Sequence, residues 1–393
     1  MKKFDAVIIG AGAAGLMCAA SAGARGRSVC VLDLGKKAGR KILISGGGRC
    51  NFTNYNLSAA NYISQNPHFV KSALKQFTNW DFLSLIHKHE IAFHERDHGQ
   101  LFCDDNAKQI VDLLQAECAA TGRVTFNFQT EVVAVTPAET GFEVQTNKGV
   151  FISESLVVAT GGLSMPPLGA TPFAWKLAEQ LEINVIAPQA ALVPFTLGEK
   201  DKILTKLTGT ALPVTISAGK QSFTEALLFT HRGISGPAVL QISTYWKHGE
   251  ALKINWLPHE NAAEIIKQAQ EKTPAQELKT VLGKVLPKKL VEVFVAWNAL
   301  PNLPVRQLNQ KQIAVISDYL HHWNFKPNGT EGYRTAEVTS GGVDTNELSS
   351  KTMQSNKISG LYFVGECMDV TGHLGGYNFQ WAWSSGWVAG QNL

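Results

Sequence analysis

Gly10, Gly12 and Gly15 follow an apolar run, Phe4–Ile9, and precede a stretch of small residues, Ala13–Ala24. GxGxxG in that setting is the turn of a βαβ unit. The first glycine permits the tight turn, the second lets backbone approach a pyrophosphate, and the third allows close helix–strand packing. Ala13 and Ala14 open the helix, whose N-terminus attracts the anion. Alone the pattern is weak. Asp33, which ends a second apolar run beginning at Ser28, adds an acceptor for a ribose hydroxyl, and its charge repels a 2′-phosphate. The nucleotide expected here is therefore not NADP.

The other chain end suggests which nucleotide it is. Phe363-Val364-Gly365-Glu366 reads as a strand closing on a glycine and an acid. Asp369, then Gly372-His373-Leu374-Gly375-Gly376, and a helical Tyr377–Val388 follow. A glycine pair opening a helix presents unpaired N–H groups to developing negative charge. Reduced flavin carries that charge on its pyrimidine edge, so FAD is the expected cofactor. Val158-Ala159-Thr160-Gly161-Gly162 supplies one more strand-to-glycine turn where backbone can approach it.

A second glycine loop runs Ser45-Gly46-Gly47-Gly48-Arg49-Cys50-Asn51-Phe52-Thr53-Asn54. Consecutive glycines cost about 1 kcal/mol each in a regular element, which points to close approach of a ligand or to permitted loop movement. Arg49 suits pyrophosphate, and Asn51 and Asn54 suit a polar ring edge. Cys50 is a candidate proton donor beside a flavin; as a small buried packing residue it is equally accounted for. His231, in the dense segment Leu228–Pro237, is either a general acid or a structural turn residue. His87, His89, His94 and His98 do not share a helical face, and no metal site is expected.

These loops need a scaffold. The chain has 393 residues, enough for two or three domains, with 45% hydrophobic and 17% charged residues, as in a globular protein with a sizeable core. The pattern is α/β: a doubly wound opening, helices over roughly 67–89 and 107–121, and meander strands near 123–135, 141–147 and 150–153. A separate strand, Ser155–Ala159, then leads to Thr160. The expected division is an FAD-binding domain from residues 1–190 and 335–393, an inserted β domain over 191–257, and a helical domain over 258–334. Lys284, Lys288 and Lys289 stand close together in the last. Six scattered cysteines without a CxxC pair argue against disulfides and zinc. Asp5 and the glycines interrupt any signal-like N-terminus, and no apolar run reaches 18 residues. No membrane span is expected, and a cytoplasmic location follows. The net charge of +4 permits an anionic partner without requiring one.

Gly10–Gly15, Ser45–Asn54, Thr230–Pro237, Val338–Val343 and Gly365–Gly386 together resemble the BaiN/RdsA-like family of NAD(P)/FAD-dependent oxidoreductases, over nearly the whole chain. The resemblance implies a Rossmann-like FAD domain built from both chain ends. It places Gly10, Gly12, Gly15, Asp33, Arg40, Cys50, Asn51, Gly365, Glu366, Asp369, Gly375, Gly376, Tyr377 and Asn378 beside the cofactor. Lys41, Gly47, Thr160 and Gly161 are expected there as well. Where family members read Gly-Arg-Val-Phe-Pro, this chain has Gly99-Gln100-Leu101-Phe102-Cys103. The missing arginine puts any anion contact at this loop in doubt, and Cys103 becomes a second candidate thiol.

The implied activity is reduction of a carbon–carbon double bond, with NADH or NADPH as a transient electron donor. Uridine in 23S rRNA, converted to dihydrouridine, is the leading substrate. A small-molecule enone reductase, an amine oxidase, and a flavin-stabilised RNA-binding protein without catalysis are the alternatives.

Overall fold

The apolar run at the N-terminus forms the strand Lys2–Ile9, at the centre of a mostly parallel sheet. This computed structural model describes residues 2–393. Lys2–Ile9 pairs in parallel with Val29–Leu32 on one side and with Gly149–Val158 on the other; Val124–Asn127 extends the sheet beyond Val29–Leu32. Val7, Ile8 and all four residues of Val29–Leu32 are buried, the continuous apolar reading of a strand covered on both faces.

Gly149–Val158 differs from expectation. The third meander strand and the strand leading to Thr160 are a single ten-residue element. No glycine or proline separates Ser153 from Ser155, so nothing breaks the run. Its first half pairs antiparallel with Gly141–Thr146, and its last three residues pair in parallel with Leu361–Phe363. The C-terminal segment thereby joins the sheet founded by the N-terminus. The helix expected over 67–89 is two helices, Val70–Gln76 and Asn79–Lys88. Thr78 restarts the second through a capping box: its hydroxyl accepts from Asp81 N–H at 3.3 Å, and the Asp81 carboxylate accepts from Thr78 N–H at 2.7 Å.

The first helix, Ala13–Ala24, lies against the last, Tyr377–Gly390. Glycines make the approach close: a Cβ on Gly386 would overlap the Ala14 carbonyl oxygen. Ser21 Oγ donates to Trp387 O at 3.0 Å, and Gln391 Nε2 donates to Ser21 Oγ at 2.9 Å. Both chain ends thus belong to one unit, residues 1–189 with 338–393.

Residues 190–337 form a second compact unit. Its seven-stranded antiparallel sheet runs Trp323–Phe325, Leu252–Asn255, Ala211–Ala218, Gln221–Phe229, Gly233–Ser235, Phe195–Thr196, Gly329–Thr330. The segments 191–257 and 258–334 share one hydrophobic core here. Trp256 packs against Phe294 and Trp323, with ring centroids 5.6 and 5.2 Å apart, and Trp323–Phe325 pairs with Leu252–Asn255. Among the described residues no helix is long and apolar enough to cross a membrane, and no group of His, Cys, Asp and Glu is placed to hold a metal.

All six cysteines are free and buried. Burial pushes the thiols of Cys30, Cys103, Cys118 and Cys367 from 9.0 up to about 12, and those of Cys18 and Cys50 further. An unfolded chain ionises its thiols near 9 while the folded one cannot, so between pH 9 and 12 the unfolded state binds fewer protons and stability falls as pH rises. The expected loss is roughly 1 kcal/mol per thiol for each pH unit above 9. At pH 8 a thiol reagent should label none of the six rapidly, and all six after denaturation. Fast native labelling of even one would contradict this packing.

Candidate active site

The turns after Lys2–Ile9, Gly149–Val158 and Leu361–Phe363 lie at the carboxyl ends of parallel strands, where open α/β sheets bind ligands. Backbone bonds stitch these ends together: Gly10 N–H donates to Leu32 O at 2.8 Å, Ala159 N–H to Ile9 O at 2.8 Å, and Val364 N–H to Val158 O at 3.1 Å. A Cβ on Gly15 would overlap the Gly10 carbonyl oxygen, and one on Gly10 the Ala159 carbonyl oxygen. Gly12 is different. Its Cβ would meet nothing within 4 Å, and it caps Ala13–Ala24 without any side-chain hydrogen bond. The first-turn N–H groups of Ala13, Ala14 and Gly15 have no partner within the helix, and the room beside Gly12 is what an anion site requires.

Asp33 stands beside this turn. Its Oδ2 accepts from Ala11 N–H at 2.8 Å and its Oδ1 from Gly35 N–H at 2.6 Å, with Arg40 Nη2 at 3.5 Å. These bonds fix the carboxylate and leave lone pairs for a hydroxyl donor. Lys41 and Glu366 meet each other. Lys41 Nζ lies 2.9 Å from Glu366 Oε2, and Glu366 Oε1 also accepts from Thr339 N–H at 2.9 Å and Ser164 Oγ at 3.2 Å. This cluster covers the Gly161-Gly162 turn: a Cβ on Gly162 would come 3.0 Å from Glu366 Oε1. Ser164 and Thr339 were not singled out from sequence. Thr339 lies in the Val338–Val343 segment, and Ser164 stands two positions after Gly162.

The second glycine loop packs on the last helix. Asn51 Oδ1 accepts from Gly376 N–H at 3.1 Å, and Asn54 Nδ2 donates to Gly375 O at 2.9 Å. Gly376 caps Tyr377–Gly390, again with no side-chain bond. The hydroxyls of Thr160 and Thr371 are buried without a partner. Two helix starts without side-chain caps, open space at Gly12, Gly47 and Gly48, and two orphaned hydroxyls fit a dinucleotide carrying a polar ring.

Several expected contacts have other work. Asp369 is buried, accepts from Gln65 N–H at 2.8 Å, and is pushed up by burial; it braces the turn at Ser64. Asn378 closes its own loop, with Oδ1 accepting from Gly372 N–H and Nδ2 donating to Gly372 O, both at 2.9 Å. Tyr377 is buried, and its hydroxyl donates to Asn56 O at 3.3 Å.

The three candidate proton donors fare less well. Cys50 is 0% exposed, and its N–H donates to Ser45 O at 3.1 Å. Cys103 is also 0% exposed, with its N–H donating to Arg49 O at 3.0 Å. A proton donor must touch its acceptor directly or through one water, and neither thiol presents surface to do so. They lie under the glycine loop rather than on it. His231 is exposed in the turn between Gln221–Phe229 and Gly233–Ser235 of the inserted unit, where the Thr230 hydroxyl accepts from Gly233 N–H at 3.0 Å.

The chain matches other proteins over nearly its whole length. The chain is 55% identical to a ribosomal RNA dihydrouridine synthase of Haemophilus influenzae, covering 98% of each chain. It is likewise 55% identical to a ribosomal RNA dihydrouridine synthase of Escherichia coli K12, covering 100% of this chain and 98% of that one. A 3-dehydro-bile acid delta(4,6)-reductase of Clostridium scindens is 29% identical, covering 98% and 97%. Among solved structures, a 3-ketosteroid-delta4-(5alpha)-dehydrogenase of Rhodococcus jostii has the same fold, with TM-score 0.51, 13% identity and coverage of 99% and 97%. Residues 4–392 match the model of the HI0933-like protein Rossmann domain, and the chain belongs to that family.

Proposed function

We propose that this protein is an FAD-dependent reductase, supplied by NADH or NADPH, that saturates the C5–C6 bond of uridine in 23S rRNA. The observation that carries this reading is the 55% identity, over full length, to two ribosomal RNA dihydrouridine synthases. The site geometry supports it with a dinucleotide cradle whose glycine and helix-terminus elements are all present.

When bound, reduced flavin would supply a hydride to one carbon of the double bond, and a proton from solvent completes the other. The chain's own part is to bind and orient. The first turn of Ala13–Ala24 holds a diphosphate through its N–H groups, and Asp33 accepts from a ribose hydroxyl. Glu366, fixed by Lys41, Ser164 and Thr339, offers a carboxylate edge at the Gly161-Gly162 turn. The N–H groups opening Tyr377–Gly390 favour negative charge on the ring edge they face.

Mass-spectrometric nucleoside analysis of rRNA from a deletion strain tests the reading. Dihydrouridine should disappear and return with the intact gene; an unchanged profile would reject uridine as substrate. A small-molecule enone is the second reading, favoured by the 29% identical bile-acid reductase. Turnover of an enone steroid with no effect on rRNA would select it.

Cys50 enters this reading as a packing thiol. Cys50→Ala should keep product formation within about threefold of wild type, whereas a general acid contributes about 10²–10⁴. A loss beyond ~100-fold with flavin still bound would return Cys50 to the reaction.

A further inference from the structure

The inserted unit, residues 190–337, holds 17 of the chain's 36 Lys and Arg but only 12 of its 32 Asp and Glu. It carries the whole positive excess, since the remainder of the chain is slightly acidic. A cluster of lysines without a carboxylate partner sits at one place. The short helix Leu278–Leu282 ends at Gly283, and a turn through Pro287 leads into the helix Lys288–Ala296. Leu290, Val291, Val293 and Phe294 bury one face of that helix and anchor it. Lys284, Lys288 and Lys289 are exposed. The Lys288 stem passes over Gly283, where a Cβ would lie 3.5 Å from Lys288 Cγ, so the turn and the helix start form one ridge.

These lysines differ from most others with a recorded partner. Lys41, Lys88, Lys108, Lys202, Lys279 and Lys357 each pair with a carboxylate. Lys284 has only the neutral Gln276 carboxamide, at 3.0 Å. Among the described residues no carboxylate lies within 4.0 Å of the Lys284, Lys288 or Lys289 ammonium groups. Three like charges on an anchored turn repel one another until an anion neutralises them, and an RNA backbone supplies anions at regular spacing.

We propose that this ridge docks the phosphate backbone of the RNA substrate, an inference that rests on the rRNA reading above. It contributes affinity and leaves the choice of uridine to the flavin-side loops, since phosphate contacts position and base contacts specify.

The test uses the full-length holoenzyme and a labelled transcript of large-subunit rRNA. Lys284→Gln, Lys288→Gln and Lys289→Gln together should weaken binding about tenfold at moderate salt. They should flatten the plot of log affinity against log salt by about 2, from ~0.7 per lost contact on a flexible strand. KM for RNA should rise while kcat, the flavin spectrum and RNA-free NADH oxidation stay unchanged. Salt-dependent RNA binding by the wild type that the triple substitution leaves untouched overturns the ridge and spares the substrate reading. A ridge that captures an acidic protein in place of RNA likewise overturns only the ridge, whereas a wild type with no affinity for RNA overturns both.

Discussion

Replacing Gly12 with aspartate should yield a folded, colourless protein whose flavin affinity is down by at least ~100-fold, about 3 kcal/mol. The two halves of that expectation come from separate observations. Gly12 has φ −84° and ψ −169°, an extended backbone that any residue adopts, and a Cβ there would touch no protein atom within 4 Å. The fold therefore tolerates a side chain. Aspartate is a preferred N-cap and should stabilise Ala13–Ala24 by a few tenths of a kcal/mol over glycine. The same carboxylate would occupy the helix N-terminus and satisfy the N–H groups that a diphosphate needs, and its charge would repel the phosphates. Apoprotein stability and cofactor affinity thus move in opposite directions. Thermal melting of the stripped protein and flavin titration separate them. A Gly12→Asp variant purified with stoichiometric flavin would show that the cofactor does not lie where the first helix points.

That separation also explains what the sequence could and could not reveal. The βαβ opening was legible because GxGxxG, an apolar run before it and Asp33 after it each have a local physical meaning. The return of the C-terminus to the same sheet was inferable from the second strand-glycine pattern at Phe363–Gly376. The one long strand Gly149–Val158 was not, since a polar Ser153-Glu154-Ser155 looks like a break until pairing on both edges is known. Cys50 shows a deeper limit. Its neighbours in sequence, Arg49 and Asn51, are exposed and half-buried, while Cys50 itself turns under the loop at φ 49°. A run of glycines removes the periodicity that tells which side chains point to a ligand, so residue type suggested chemistry where backbone direction denies access. Lys41 and Glu366 were each expected near the cofactor, but 325 positions separate them in the chain and no local pattern could join them.

Gly376→Ala should cost roughly 3 kcal/mol or more and abolish product formation, whereas Gly47→Ala should cost about 1 kcal/mol and leave the fold intact. Both glycines have positive φ, +93° and +66°, so both pay the left-handed penalty of ~1 kcal/mol when a Cβ is added. Only one of them is crowded. A Cβ on Gly376 would overlap the Thr53 carbonyl oxygen and lie 2.9 Å from the Asn51 side-chain amide, and that backbone is held in a strand. The strand Asn51–Asn54 would have to retreat, breaking the Asn51–Gly376 bond and displacing the start of Tyr377–Gly390. Overpacking of this kind adds about 1–3 kcal/mol. A Cβ on Gly47 meets nothing within 4 Å. Urea unfolding of the two flavin-free variants isolates the steric part, because the conformational part is common to both. Equal midpoints would mean that the glycine loop does not rest on the last helix as described, and the ring-side half of the cradle would have to be redrawn.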